Sequence, residues 1–246
     1  MTSAKAYSTE MGKMLMREKL SGERDLSEIA VLCDFDGTIT TIDTAEFVLA
    51  RFAEGNFQRF NRLFEKGEIA LEECLNKQFS LVKVSKRKII GELDKRVIFR
   101  PNFRELAVTC KQKDTPLVIV SAGLDFVIEH FLKVNDCLDL VEVYSPNAKF
   151  SHDGISFTFP ELCDQSSINF KQDIVRHGKN QGKFVIFVGD GLADLPAAKD
   201  ADTVFAIKGS RLSKLCKKTG VECKEMMDFR EVIDAVPRIN THVDKR

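Results

Sequence analysis

The stretch Val31-Leu32-Cys33-Asp34-Phe35-Asp36-Gly37-Thr38 decides the fold. The apolar run from Ile29 to Cys33 predicts a short buried strand. It stops at two carboxylates one residue apart, followed by Gly37 and Thr38. A buried strand that delivers acids at its C-terminal end matches the usual site geometry of an open α/β sheet. Two carboxylates in one small volume repel, and a divalent cation with a taste for oxygen, Mg²⁺, relieves that repulsion. Gly37 allows close approach of backbone or ligand, and Thr38 offers a hydroxyl and an N–H to an anion. An Asp-Gly turn is the plainer alternative. A calcium loop fails, because it needs a third acid before the glycine and a later Glu.

The rest of the chain places two more such strand ends. Pro116 to Val120 predicts a second buried strand, ending at Ser121-Ala122-Gly123. Phe184 to Val188 predicts another, ending at Gly189-Asp190-Gly191-Leu192-Ala193-Asp194. Between them lie a helix over Asp125 to Val134, an extended stretch over Leu138 to Val143 and a hairpin turning at Asp153-Gly154. A further helix there is capped by Ser166 or Ser167 and runs to about Gly178. Pro101 opens a helix before the second strand. After the third strand come a helix near Asp194, a strand over Thr203 to Ile207, helices near Ser210 and Phe229, and a frayed tail from Pro237. Strands joined by helices predict a three-layer α/β/α sandwich on a parallel sheet.

From Thr44 to Leu93 the apolar spacing is helical throughout, with Gly55 and Gly67 as breaks. Four short helices directly behind the first acidic loop predict an inserted helical cap over residues 43–96. The core is then 27–42 with 97–240, and 1–26 is an N-terminal extension with a helical reading on Met11, Met14, Leu15 and Leu20. Phe52, Phe57, Phe60 and Phe64 read as the interior of the cap.

The 246 residues carry 37 basic and 37 acidic side chains, so nothing marks a nucleic-acid surface or a polybasic membrane anchor. No run reaches the length of a membrane-spanning helix, and the N-terminus has no signal-peptide pattern. Seven cysteines with no C-x-x-C pair read as reduced thiols of a cytoplasmic protein. Oligomeric state stays open.

In a parallel sheet the three strand-end loops converge on one edge. Together they supply carboxylates for Mg²⁺, hydroxyls and glycine-flanked N–H groups for a phosphate, and they lack only a protein cation. Lys171 is the candidate; Lys179 and Lys183 are the alternatives nearby.

The order Asp-x-Asp-Gly-Thr, strand-end Ser, Lys, Gly-Asp-Gly-x-x-Asp resembles the haloacid dehalogenase (HAD) superfamily over residues 34 to 199. The helical insert resembles its phosphoserine-phosphatase-like branch. Within that branch, Asp-Phe-Asp-Gly-Thr-Ile-Thr and Gly-Asp-Gly-x-x-Asp-x-x-Ala-Ala-Lys are similar to the 2-hydroxy-3-keto-5-methylthiopentenyl-1-phosphate phosphatases. The resemblance implies a Rossmann-like core and a Mg²⁺-dependent phosphomonoesterase acting on a small phosphorylated metabolite. It implies Asp34 as nucleophile forming an aspartyl-phosphate and Asp36 as general acid and then base. The metal set would be Asp34, Asp36 (through its backbone carbonyl) and Asp190. Phosphate contacts would come from Thr38, Ser121, Ala122 and Gly123. Lys171 would neutralise developing charge, with Asp194 supporting it or the metal. Asp43 and Glu46 would meet the leaving group, Asp43 being equally readable as a helix cap. Arg51, Arg59 and Arg62 could reach a substrate carboxylate or stay on the surface. Gly37, Asp43 and Ala122 depart from the phosphoserine phosphatase pattern, which leaves the substrate unnamed. A phosphotransferase or mutase, and a non-catalytic phosphate-binding protein, are the alternative functions.

Overall fold

Three apolar runs build the middle of the molecule: β1 (Ile29–Cys33), β2 (Leu117–Val120) and β6 (Phe184–Gly189). Every residue of β1 and β2 is buried, as expected of strands covered on both faces. A computed structural model of the chain describes residues 28–240, with side chains through 236; the expected N-terminal extension lies outside the described residues. With β3 (Glu142–Tyr144), β7 (Thr203–Ile207) and β8 (Lys224–Met226), these strands form a six-stranded sheet in the order β3-β2-β1-β6-β7-β8. All its pairings are parallel, with Val31 opposite Leu117 and Cys33 opposite Val188. The chain leaves β1 toward β2 and later returns to its other side at β6, so β1 stands at a topological switch point.

Because parallel crossovers are right-handed, connections running opposite ways from β1 put their helices on opposite faces. One layer packs α5 (Phe103–Gln112) on β2 and on α10 (Arg230–Asn240). The other packs α7 (Phe170–Asn180) on β6 and on α8 (Leu195–Asp200), followed by α9 (Arg211–Thr219) on β7. The α/β/α expectation holds. Local departures have local causes. Asn102 takes the left-handed region (φ 67), so α5 begins at Phe103 and not at Pro101. Asn169, not Ser166 or Ser167, caps α7, accepting from Gln172 N–H at 3.0 Å, while the Ser167 hydroxyl turns to Asp173. Residues Leu138–Leu140 make a 3₁₀ turn before β3. The last helix runs past Pro237, held by buried Phe229, Val232 and Val236.

Four helices fill the insert: α1 (Thr44–Phe52), α2 (Gln58–Glu65), α3 (Leu71–Phe79) and α4 (Lys86–Leu93). Its two ends are zipped together, since Thr41 N–H donates to Ile98 O (2.9 Å) and Arg100 N–H to Ile39 O (2.7 Å). The remaining helix, α6 (Asp125–Val134), leads to β3 and packs beside the hairpin of β4 (Asn147–Ser151) and β5 (Gly154–Thr158). That hairpin docks on α3. The Asn76 amide accepts from Phe157 N–H at 2.8 Å and donates back to its carbonyl at 3.5 Å, as a neighbouring strand would. Phe79 meets Phe157 edge-on with centroids 5.1 Å apart. Gly154 (φ 112) lies against the Ser80 carbonyl, where a Cβ would collide with it.

Candidate active site

The C-terminal ends of β1, β2 and β6 open into a cavity of about 450 Å³ between the sheet and the insert. At the end of β1, Phe35 turns into the core against Phe99 (6.0 Å, edge-on). Alternation along the chain then sends Asp34 and Asp36 the other way, to the cavity. Two loop backbones are shaped around carboxylates. Gly37 (φ 71) leaves no room for a Cβ beside the Asp190 carboxylate, and Gly123 none beside that of Asp36.

Lys171, 2% exposed, is the protein cation of the site. Its ammonium sits 2.8 Å from Asp34 Oδ1 and 2.6 Å from Asp194 Oδ1. The competing lysines are committed elsewhere: Lys179 to Asp202 at 2.8 Å and Lys183 to Glu28 at 3.8 Å. Asp194 stands at the N-cap position of α8, but its side chain does not cap the helix. Its Oδ2 accepts from the N–H groups of Asp190 (3.0 Å) and Gly191 (2.8 Å), so it joins the β6 loop to Lys171. Asn169 adds a second brace, donating to Ala193 O at 2.9 Å.

Among the described residues, Asp34, Asp190 and Asp194 form the group whose carboxylates could share a metal, with ligand atoms within 4.8 Å of one another. Three acids face one ammonium, and their charge is not balanced. Burial and the Asp194 charge push the Asp190 carboxyl up to about 7. Burial and Asp194 raise Asp34 as well, against the pull of Lys171. Burial alone would lower Lys171, but the charges of Asp194 and Asp34 hold it above the ordinary lysine range, so it stays an ammonium. An all-oxygen donor set with surplus negative charge suits a hard divalent cation.

Asp36 stands apart from that group. Its Oδ1 accepts from both the N–H (2.8 Å) and the hydroxyl of Thr44, the first residue of α1. Burial raises its carboxyl, and the Thr44 bonds oppose the rise. Asp43 caps α1, accepting from Glu46 N–H at 2.7 Å, and both acids line the cavity mouth. Ser121 and Ala122 line the cavity; the Ser121 hydroxyl accepts from Gly123 N–H at 3.1 Å. Thr38 is fully buried and its hydroxyl is turned to Asp190 Oδ1 at 3.3 Å.

Several residues escaped the reading of the sequence. Arg100 donates to the carbonyls of Thr38 and Gly37, both at 2.9 Å, and so fixes the acidic loop from below. Thr44 and Asn169 act on Asp36 and the β6 loop from sites with no motif of their own. Phe57 and Phe64, expected in the interior of the insert, are half-buried and line the cavity. Arg51, Arg59 and Arg62 do not line it; Arg51 and Arg59 lie over Phe52 and Phe60.

A parallel sheet with a switch-point cleft, a carboxylate cluster and a buried lysine defines a hydrolase site of known type. The chain belongs to the haloacid dehalogenase-like hydrolase family, whose model matches residues 31–199. Its relatives include the 2-hydroxy-3-keto-5-methylthiopentenyl-1-phosphate phosphatases of Brevibacillus brevis and Geobacillus kaustophilus. Each is 30% identical over 221 residues, spanning 88% of this chain and 98% and 99% of the relative. Among solved structures, a substrate-bound phosphoserine phosphatase matches with a TM-score of 0.64 at 21% identity, over 85% of this chain and 98% of its own. No helix among the described residues is long and apolar enough to cross a membrane.

Proposed function

We propose that the chain is a Mg²⁺-dependent phosphomonoesterase of small phosphorylated metabolites, working through an aspartyl-phosphate on Asp34. The observation that carries this reading is the buried Asp34–Lys171–Asp194 chain with Asp36 two residues beyond Asp34. Asp34 attacks phosphorus and the ester P–O bond breaks, while Asp36 gives its proton to the departing oxygen. Water then attacks the acyl phosphate, Asp36 takes a proton from it, and Asp34 and inorganic phosphate are released. Lys171 meets the charge gathering on the transferring oxygens, and Asp194 positions Lys171. Ser121 and the Ala122–Gly123 backbone offer contacts to the phosphoryl group, and Thr38 acts through Asp190. Mg²⁺, held by Asp34, Asp190 and the Asp36 carbonyl, would neutralise phosphoryl oxygens. We read the insert 43–96 as a cap over a core of 27–42 and 97–240. A cytoplasmic setting is supported by seven free thiols.

The test is phosphate release from a panel that includes 2-hydroxy-3-keto-5-methylthiopentenyl-1-phosphate and phosphoserine, with Mg²⁺ and with EDTA. Release that requires Mg²⁺ is expected. A folded protein silent on every ester, or one that hands phosphate to alcohols in place of water, would overturn the reading.

The charge surplus has a second consequence. The Asp190 carboxyl stands at about 7 against an ordinary value of 3.8. A folded value above the unfolded one means the native state holds the proton more tightly. That stability is present at low pH and is lost as pH rises from about 4 to about 7. Bound Mg²⁺ removes the penalty by favouring the carboxylate. The rise in Tm on adding Mg²⁺ is therefore expected to be several degrees larger at pH 8 than at pH 5, given about 2–4 °C per kcal/mol for a chain of this size. Equal increments at both pH values would refute the placement of the metal on these acids.

A further inference from the structure

The turn that carries the first two acids is held from outside itself. Phe35 O accepts from the N–H groups of Ile39 (2.9 Å) and Thr40 (3.1 Å), which curls residues 35–40 into one tight turn. Gly37 N–H is turned to Thr40 Oγ1 and Ile42 O, each at 3.2 Å. A trans peptide unit is planar, so the Asp36 carbonyl in the same unit points the opposite way. The next two carbonyls go to Arg100, which donates from Nε to Thr38 O and from Nη2 to Gly37 O, both at 2.9 Å. A rigid fork on two consecutive carbonyls fixes the tilt of both peptide planes. Gly37, at φ 71, is the residue about which the turn would otherwise twist most freely.

Arg100 lies outside that turn, on the stretch where the insert returns to the sheet. Its own N–H donates to Ile39 O at 2.7 Å in the stem. Its neighbours are pinned on both sides. The Phe99 ring meets Phe35 and Phe103 edge-on at 6.0 and 5.7 Å, and Pro101 O accepts from Phe229 N–H at 3.1 Å. The last arm of the fork, Nη1, donates to Met227 O at 3.3 Å, just past β8. All three arms thus end on carbonyls, and the carboxylate that the guanidinium interacts with through space is Asp190.

We propose that Arg100 is a positioning residue for the metal and the transferring phosphoryl group. From the stem of the insert its guanidinium sets the turn that aims Asp34, the Asp36 carbonyl and the Thr38 hydroxyl. It touches neither substrate nor metal. This rests on the phosphomonoesterase reading and deepens it: the attachment of the insert and the geometry of the metal site share one residue. Groups that orient metal ligands from outside typically carry about 10–100-fold in metal affinity or activity.

The experiment measures Mg²⁺ binding by calorimetry, kcat and KM for p-nitrophenyl phosphate, and Tm, all on the full chain. Arg100→Ala is expected to lower kcat by on the order of 10²-fold with KM within about threefold. It is also expected to weaken Mg²⁺ by about tenfold or more. Arg100→Lys keeps the charge but loses the fork, and kcat should fall about tenfold. Arg100 is half-buried, so guanidinium chloride at a non-denaturing concentration should restore part of the activity lost in Arg100→Ala, where equal sodium chloride restores none. A residue needed only for folding does not respond in that way. The proposal is overturned if kcat and Mg²⁺ affinity in Arg100→Ala both stay within about threefold of the parent. It is equally overturned if Arg100→Lys has the parent's kcat, since charge and not the fork would then suffice. Where Arg100→Ala folds poorly, Arg100→Lys decides by the same criterion. In a parent silent on every ester the phosphatase reading falls; Mg²⁺ about tenfold weaker in Arg100→Ala still supports this role for Arg100, and unchanged Mg²⁺ overturns it.

Discussion

Asp34→Asn is expected to abolish phosphate release, by a factor on the order of 10⁴ or more, in a protein that remains folded. The amide oxygen can still accept from Phe35 N–H, now at 2.8 Å, and from Lys171, so the end of β1 keeps its shape. What disappears is the anionic nucleophile and one of three crowded carboxylates. Removing that charge relieves repulsion with Asp190 and Asp194, so the metal-free variant should melt no lower than the parent. Its Tm should respond less to Mg²⁺, having lost a ligand. Phosphate assays and melts on the same preparation check both halves. Activity within tenfold of the parent would exclude Asp34 as nucleophile, and a collapse in Tm would make the activity result uninformative about chemistry while contradicting the electrostatic argument.

Lys171→Met should produce the opposite combination: activity lost by about 10³ or more together with a marked loss of stability. The ammonium is buried and bridges two carboxylates at 2.8 and 2.6 Å. Methionine matches the length of the stem but leaves Asp34 and Asp194 facing each other without a counter-charge. Breaking a buried pair by removing one partner typically costs about 3–5 kcal/mol. Asp194 also holds the N–H groups of Asp190 and Gly191, so the β6 loop should loosen with it. Mg²⁺ should recover part of the stability, since it supplies positive charge to the same acids, but little of the activity. Lys171→Arg is not expected to rescue either, because a site 2% exposed has no space for a guanidinium. A variant as stable as the parent would show that the two acids are not charged in the metal-free protein.

Those two variants act on residues that the sequence makes visible, and the reason is chain locality. Asp34, Ser121 and Asp190 each follow an apolar run, and strand ends in a parallel sheet are bound to meet at one edge. Lys171 was legible only as the cation that the acids require, and its choice over Lys179 and Lys183 depended on position in a helix. Arg100, Thr44 and Asn169 were not legible. Arg100 and Asn169 reach backbone carbonyls far along the chain, and Thr44 reaches back to the Asp36 carboxylate across the start of the insert, and such contacts leave no periodicity or spacing behind them. The start of α5 was misplaced because a left-handed Asn102 interrupts what Pro101 begins. Phe57 and Phe64 pack on the core as their spacing implies and also border the cavity, which spacing does not show: it says that an apolar face is covered, not whether a cavity covers part of it.

The hairpin of β4 and β5 carries a mechanical implication. The insert joins the sheet through one zipped stem at residues 39–41 and 98–100, an arrangement that by itself would let it swing widely. The Asn76 clamp, the Phe79–Phe157 contact and the fit of Gly154 under Ser80 fasten the insert to a third stretch of chain. A tripod rocks where a door swings. Any movement that opens the cavity must therefore strain or break those contacts as well as bend the stem.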